Sequence, residues 1–247
     1  MLAVRARSPQ RCVTIERPQD VRDGPCLNPA NLSILACALA VVGLLVAERF
    51  GSQAGKWLTK PVASLAFIGT AIASGAAGSG YGQLILLALL LCLLGDLLLI
   101  PENRPGIFRL GVVAFLCGHL AFAAAFFTQP VDWHWLAVAS VALALALWRV
   151  WRWLSPSLPA DMRIPVQAYF AVIATMTALA CAVTGAGATP LVALGAIAFT
   201  LSDISVARDR FVQPGFVNRA WGLPLYYFAQ VLLALSPAWL TGAGQGN

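Results

Sequence analysis

The sequence predicts an all-α polytopic membrane protein, a bundle of about eight transmembrane helices, and three observations carry that expectation. Hydrophobic residues make up 60% of the chain and charged ones only 11%, too few for a water-soluble globule, which carries about 25%. Apolar runs recur at close to the roughly 17 to 25 residues that cross a hydrocarbon core about 30 Å thick. The few charges are gathered in short stretches between those runs.

In chain order, residues 1–31 form a polar leader rich in Arg, Pro, Asp and Asn. Its basic start is not followed directly by an apolar stretch, so it reads as a poorly ordered extension and not as a cleavable signal. The membrane domain is expected over 32–240, with spans near Leu32–Ala47, Pro61–Ala77, Gln83–Ile100, Leu110–Phe127, Trp133–Trp148, Val166–Thr184, Leu191–Ala207 and Trp221–Leu240. The second is the least apolar; its Ala, Gly and Ser content suits a helix packed closely among others. Residues 241–247 form a short tail. Pro, Gly and Asn mark the intervening loops, and no internal repeat is visible.

Lys and Arg set the orientation, because cytoplasmic loops hold their excess. The loops after the first, third, fifth and seventh spans carry Arg49, Lys56 and Lys60; Arg104 and Arg109; Arg149, Arg152 and Arg163; and Arg208, Arg210 and Arg219. The loops after the second, fourth and sixth spans carry none. The formal charge of +6 therefore reads as a topology signal. No basic patch interleaved with aromatics points to nucleic acid. In a bacterium the protein would lie in the inner membrane. Cys37, Cys92, Cys117 and Cys181 fall within spans and Cys12 and Cys26 in the leader, with no CxxC spacing, so free thiols are expected and neither a metal nor a cofactor is.

Ionisable residues inside a span are costly, roughly 2.5 to 3.5 kcal/mol for Asp on the insertion scale. Asp96, in LLGDLLL, and Asp203, in TLSDI, each sit about four residues before the cytoplasmic end of an inward-running span. At 1.5 Å per residue this places both roughly 6 to 8 Å below one membrane surface, where they are candidates to meet. Further polar residues enter from that side: Lys60 at the opening of the second span, His119 in the fourth, Tyr169 in the sixth, Ser202 beside Asp203, and Tyr226, Tyr227 and Gln230 in the eighth. Phe115, His119, Phe122 and Phe126 follow one helical stripe that could line an acyl-chain pocket. His134, between two tryptophans at the uncharged side, reads as interfacial.

The string LLGDLLL at 93–99, followed by FRLGVVAFLCGHLAFAAAF at 108–126, resembles the lysoplasmalogenase family of YhhN-like membrane proteins. TKP at 59–61, PVQAYFAVIATM at 165–176, GAIAFTLSD at 195–203 and YYFAQVLL at 226–233 follow in the family's order. The resemblance implies an eight-helix hydrolase that cleaves the vinyl ether bond of lysoplasmalogens to a fatty aldehyde and glycerophosphoethanolamine or glycerophosphocholine. It makes Asp96 and Asp203 the catalytic pair. Relatives commonly carry tyrosine where this chain has Phe122 and threonine where it has Tyr226, so Phe122 is left out of the polar site and Tyr227 is weighted above Tyr226.

Vinyl ether hydrolysis needs an acid to protonate the carbon β to oxygen and a second group to stabilise the resulting oxocarbenium ion or activate water, a division known from glycosidase carboxylates. Asp96 is expected as the acid and Asp203 as its partner, with the reverse equally open. Lys60 would hold the lipid phosphate, while His119, Tyr169, Ser202, Tyr227 and Gln230 would orient the groups. Two other classes remain. A zinc amidase needs more histidines than the one predicted to lie in the membrane. A transporter or lipid-binding protein could use buried aspartates to carry protons or hold a headgroup.

Overall fold

A computed structural model describes residues 28–101 and 104–242, so most of the leader, including Cys12 and Cys26, and nearly all of the predicted tail lie outside the described residues. The described residues form eight α-helices and no strand: α1 Pro29–Arg49, α2 Gln53–Ala73, α3 Gly80–Leu98, α4 Pro105–Phe127, α5 Trp133–Leu154, α6 Arg163–Gly185, α7 Pro190–Ala207 and α8 Phe216–Gly242. The starts are written into the sequence. Asn28, Ser52, Ser79, Asp132 and Thr189 each accept a hydrogen bond from a backbone N–H of the first turn, satisfying donors that have no partner within the helix. Proline opens α1, α4 and α7, where its missing N–H costs nothing.

Six helices, α1 and α3 to α7, are long and apolar enough to cross a membrane. The other two, α2 and α8, are as long as their neighbours but carry Lys56, Lys60, Arg219 and Gln230. Both are turned inward, and α8 packs against α1, α2, α3 and α7. The bundle otherwise follows chain order, α1 on α2, α3 on α4 and α7 on α8, with α6 against α4 and α7 and α5 outermost on α6. His134 is exposed at the start of α5, its backbone N–H donating to Asp132.

The second helix departs from expectation. It begins at Gln53 and carries Pro61 in its interior, because Ser52 caps it two turns earlier than the proline would; intramembrane helices tolerate proline where neighbours re-satisfy the freed carbonyl. Lys60 therefore sits well inside the helix, not at its opening. The third helix ends at Leu98, two residues short of expectation, so Asp96 lies in its last turn.

Two glycines let the helices that carry the acidic residues close on their neighbours. A Cβ on Gly95, next to Asp96, would lie 2.6 Å from the Phe115 ring of α4, and one on Gly222 of α8 would collide with Ser205 of α7. Such small-residue seams bring helix backbones together in a membrane. Replacing Gly95 by Val should lower thermal stability in detergent by about 1–3 kcal/mol, as overpacking does. Gly106→Ala, where nothing lies within 4 Å of the added carbon, should leave the melting temperature within a degree or two of wild type; equal losses in the two variants would refute the account.

Candidate active site

Asp96 is buried, and two helices, α2 and α8, supply its partners. Ser64, one turn beyond Lys60 on α2, places its hydroxyl 2.7 Å from Oδ2. The Tyr226 hydroxyl of α8 donates to the same oxygen at 2.8 Å. The Lys60 ammonium lies 3.4 Å from Oδ1 and donates to the Asp96 carbonyl at 3.3 Å. A carboxylate that accepts from a cation and two hydroxyls is in the setting that suits its ionised, acceptor-only form.

Asp203 has a different shell. Tyr169 of α6 donates to Oδ2 at 3.0 Å, and Nε2 of His119 lies 3.4 Å from the same oxygen. Nδ1 of His119 is 2.7 Å from the Phe115 carbonyl; a carbonyl only accepts, so Nδ1 carries the hydrogen. In a neutral imidazole Nε2 is then a lone pair facing a carboxyl oxygen, and the pair needs a proton between its two members. His119 is fully buried, and Nε2 has no hydrogen-bond partner among the described residues. The side chain of Asp203 is 19% exposed against 3% for Asp96, so the first carboxyl is the more accessible of the two.

The two acids line one cavity of about 170 Å³, far more than the roughly 10–15 Å³ that one water needs. Its walls are overwhelmingly apolar: Phe108, Val112 and Phe115 from α4, and Val166, Phe170 and Ile173 from α6. A second cavity of about 290 Å³ adjoins it and shares Lys60, Leu99 and Phe108 in its lining. This vestibule is charged. Glu48 pairs with Lys56 at 3.2 Å and with Arg219 at 2.8 Å, and Arg219 also reaches Asp209 at 3.2 Å. Arg104 and Arg210 complete its cationic lining.

The sequence-derived site is thus assembled in part. Lys60, Tyr169, Ser202, Asp96 and Asp203 line the apolar cavity, whereas His119, Tyr227 and Gln230 do not. His119 adjoins the cavity through Asp203 and through the Tyr169 ring, which it meets edge-on at 5.3 Å, and the Ser202 hydroxyl is turned to the Phe199 carbonyl at 2.7 Å. The weighting of the two tyrosines is reversed: Tyr226 bonds Asp96, while the Tyr227 hydroxyl is 3.5 Å from Ser64. Both amide atoms of Gln230 are buried without a hydrogen-bond partner among the described residues.

The phenylalanine stripe also divides. Phe115 faces the cavity, but Phe122 and Phe126 are fully buried in the core, with Phe122 edge-on to Phe199. Past His119 the α4 stripe enters the core, where Phe122 meets Phe126 and Phe199, and the cavity wall is shared between the earlier part of α4 and α6. Ser64 went unnoticed, although its i, i+4 relation to Lys60 was available once α2 is started at Ser52. Among the described residues no group of three or more His, Cys, Asp or Glu is placed to hold a metal ion.

The profile of the YhhN family matches residues 55–237, a stretch that takes in both aspartates and every one of their partners. The chain belongs to the YhhN family. Among its relatives are proteins named "Lysoplasmalogenase TMEM86B" from Sus scrofa, 35% identical over 160 residues that cover 65% of this chain and 66% of that one, and from Homo sapiens, 34% identical and covering 64% of each. A Mycobacterium tuberculosis protein named "Lysoplasmalogenase" is 33% identical over 57% of this chain and 53% of its own. The chain therefore spans between about half and just under two thirds of the length of the curated relatives it matches. No solved structure matches it.

In this YhhN-family site, removal of either member of the Lys60–Asp96 pair strands the other in low dielectric. Lys60→Met and Asp96→Asn should each cost about 3–5 kcal/mol, and the double variant should be less destabilised than the sum. Thermal unfolding of the four proteins in one detergent measures the coupling; strict additivity would show that the pair does not interact.

Proposed function

We propose that this chain is a membrane-embedded hydrolase that cleaves the vinyl ether bond of lysoplasmalogens, releasing a fatty aldehyde and glycerophosphoethanolamine or glycerophosphocholine. The observation that carries the reading is the position of the two carboxyls, at the boundary between an apolar cavity and a charged vestibule. In a lysoplasmalogen the vinyl ether is the bond between hydrocarbon chain and polar glycerol. A chain in the cavity and a headgroup in the vestibule would bring that bond to Asp96 and Asp203. The names of the relatives speak for the same reaction.

The surroundings support a division of labour opposite to the one the sequence favoured. Asp203, sharing a proton with His119, is the acid, and its proton goes to the alkenyl carbon β to oxygen. The cation that forms has its charge on C1 and the ether oxygen, where the Asp96 carboxylate stabilises it and takes a proton from attacking water. Collapse of the hemiacetal returns the Asp96 proton to the departing glycerol oxygen, and Asp203 recovers the hydroxyl proton as the aldehyde forms. Both acids are then back in their starting states. Tyr226 and Ser64 hold the Asp96 carboxylate in place, and Tyr169 and His119 hold Asp203. The cation-bearing loops at this end favour a site in the cytoplasmic half of the membrane, by the positive-inside bias.

Purified full-length protein given lysoplasmenylethanolamine should release aldehyde. Asp96→Asn and Asp203→Asn should each lower kcat by about 10²-fold or more, in line with loss of a general acid or base; a folded Asp203→Asn protein with full activity would eliminate it as the acid. In D2O the aldehyde, trapped by reduction as it forms, should carry one deuterium at the carbon next to the carbonyl, since that carbon receives the solvent-derived proton. Aldehyde without that label would exclude protonation at carbon.

A further inference from the structure

Arg208–Val212, directly after α7, forms one π-helical turn, a departure from α geometry that recurs at functional sites. It distributes three consecutive side chains over the two cavities: Asp209 lines both, Arg210 only the vestibule, and Phe211 only the apolar cavity. Phe108, at the start of α4, is the shared wall. Phe211 meets its ring edge-on at 6.4 Å, and the Arg210 guanidinium stands 4.2 Å from its centroid. An arginine thus stands over the aromatic side chain that separates hydrocarbon from charge.

The ion pairs of the vestibule are distributed unevenly. Glu48 and Asp209 are engaged by Lys56 and Arg219, whereas Arg104 and Arg210 form no ion pair among the described residues. Among the described residues cations outnumber acids in this lining, which favours an anion. A guanidinium presents a planar fork of donors that fits phosphate oxygens, and stacking on an aromatic ring holds the fork in one orientation. Lys60 borders both cavities, within reach of the reacting end of the ligand.

We propose that the vestibule is the phosphate subsite, with Arg210 and Arg104 as the residues that distinguish a phosphodiester-bearing lipid from an uncharged glycerol ether. The proposal rests on the lysophospholipid reading above, since it takes the phosphate to belong to the same glycerol whose ether bond meets Asp96 and Asp203.

Binding tests it without turnover. The full-length protein in detergent is titrated with a saturated 1-O-alkyl-glycerophosphoethanolamine, which has no vinyl ether to cleave, and with the matching 1-O-alkylglycerol. Arg210→Ala and Arg104→Ala should each weaken the phosphodiester lipid by about ten- to a hundredfold, the loss of one charge-assisted contact, and leave the alkylglycerol unchanged. Arg210→Lys should recover part of the loss. Equal weakening of both ligands, or no weakening of either, would overturn the assignment. Inorganic phosphate provides the third arm: if it binds in an Arg210-dependent manner and the alkyl phospholipid does not displace it, the vestibule is a site for free phosphate and the headgroup assignment fails. Selective binding without aldehyde release from the vinyl ether substrate would uphold the subsite while removing the hydrolase reading.

Discussion

The buried carboxyl of Asp96 dictates how the helices around it must pack. A charge taken into a low-dielectric interior costs several kcal/mol unless a counter-charge and hydrogen-bond donors replace its water. One helix cannot supply them, because the side chains of Asp96's own neighbours on α3 are leucines and a glycine. The donors come instead from α2, through Lys60 and Ser64, and from α8, through Tyr226. This fixes α2, α3 and α8 around one point and accounts for the polar side chains Lys60, Ser64 and Tyr226 on α2 and α8. Gly95 is the complementary device: without a side chain on that face, the Phe115 ring lies against α3 beside the acid and closes it off.

Asp203 answers a different requirement. It is held by one tyrosine and one imidazole and is the more accessible of the two acids, and it lacks the lysine that pairs with Asp96. Two carboxyls of one residue type thereby acquire unlike electrostatics from their surroundings, as acid and base pairs require when both must work at the same pH. The link between them is a relay of rings, not a direct contact: Tyr226 lies edge-on to Phe199, and Phe199 is against His119 with centroids 4.3 Å apart. Packing in this layer keeps each acid facing the cavity.

Much of this was legible in the chain. Hydropathy and loop residues located eight helices, and the expense of an intramembrane aspartate singled out Asp96 and Asp203 at a common depth before any fold was known. What escaped was set by tertiary geometry. Pro61 read as a helix start because proline so often occupies the first turn, and that error displaced Lys60 to a helix end and concealed Ser64 on its face. Tyr226 and Tyr227 are adjacent, so they point in directions about 100° apart on a helix, and only the packing of α8 decides which of them meets Asp96. The phenylalanine stripe was periodic, but periodicity cannot distinguish a cavity wall from core. The cations of the vestibule were recognised as topology signals; their convergence requires the N-terminal parts of α2, α4 and α8 and the turn after α7 to be brought together.

The double role of those cations follows from where the acids lie. A site that acts on the junction between hydrocarbon and headgroup must sit near the membrane surface, and the cytoplasmic surface is where the insertion rule collects Lys and Arg. Residues retained for orientation are therefore already at the depth of a lipid phosphate. The π turn at 208–212 turns that coincidence into a recognition surface, since it takes Arg210 and Phe211, adjacent in sequence, and assigns one to the charged space and the other to the apolar one. The same vestibule that would receive the headgroup also borders Asp209 and Lys60, which line both cavities. On the proposed reading, substrate headgroup and hydrolytic water share one entrance, and the hydrocarbon chain, lying among α4 and α6, closes the other.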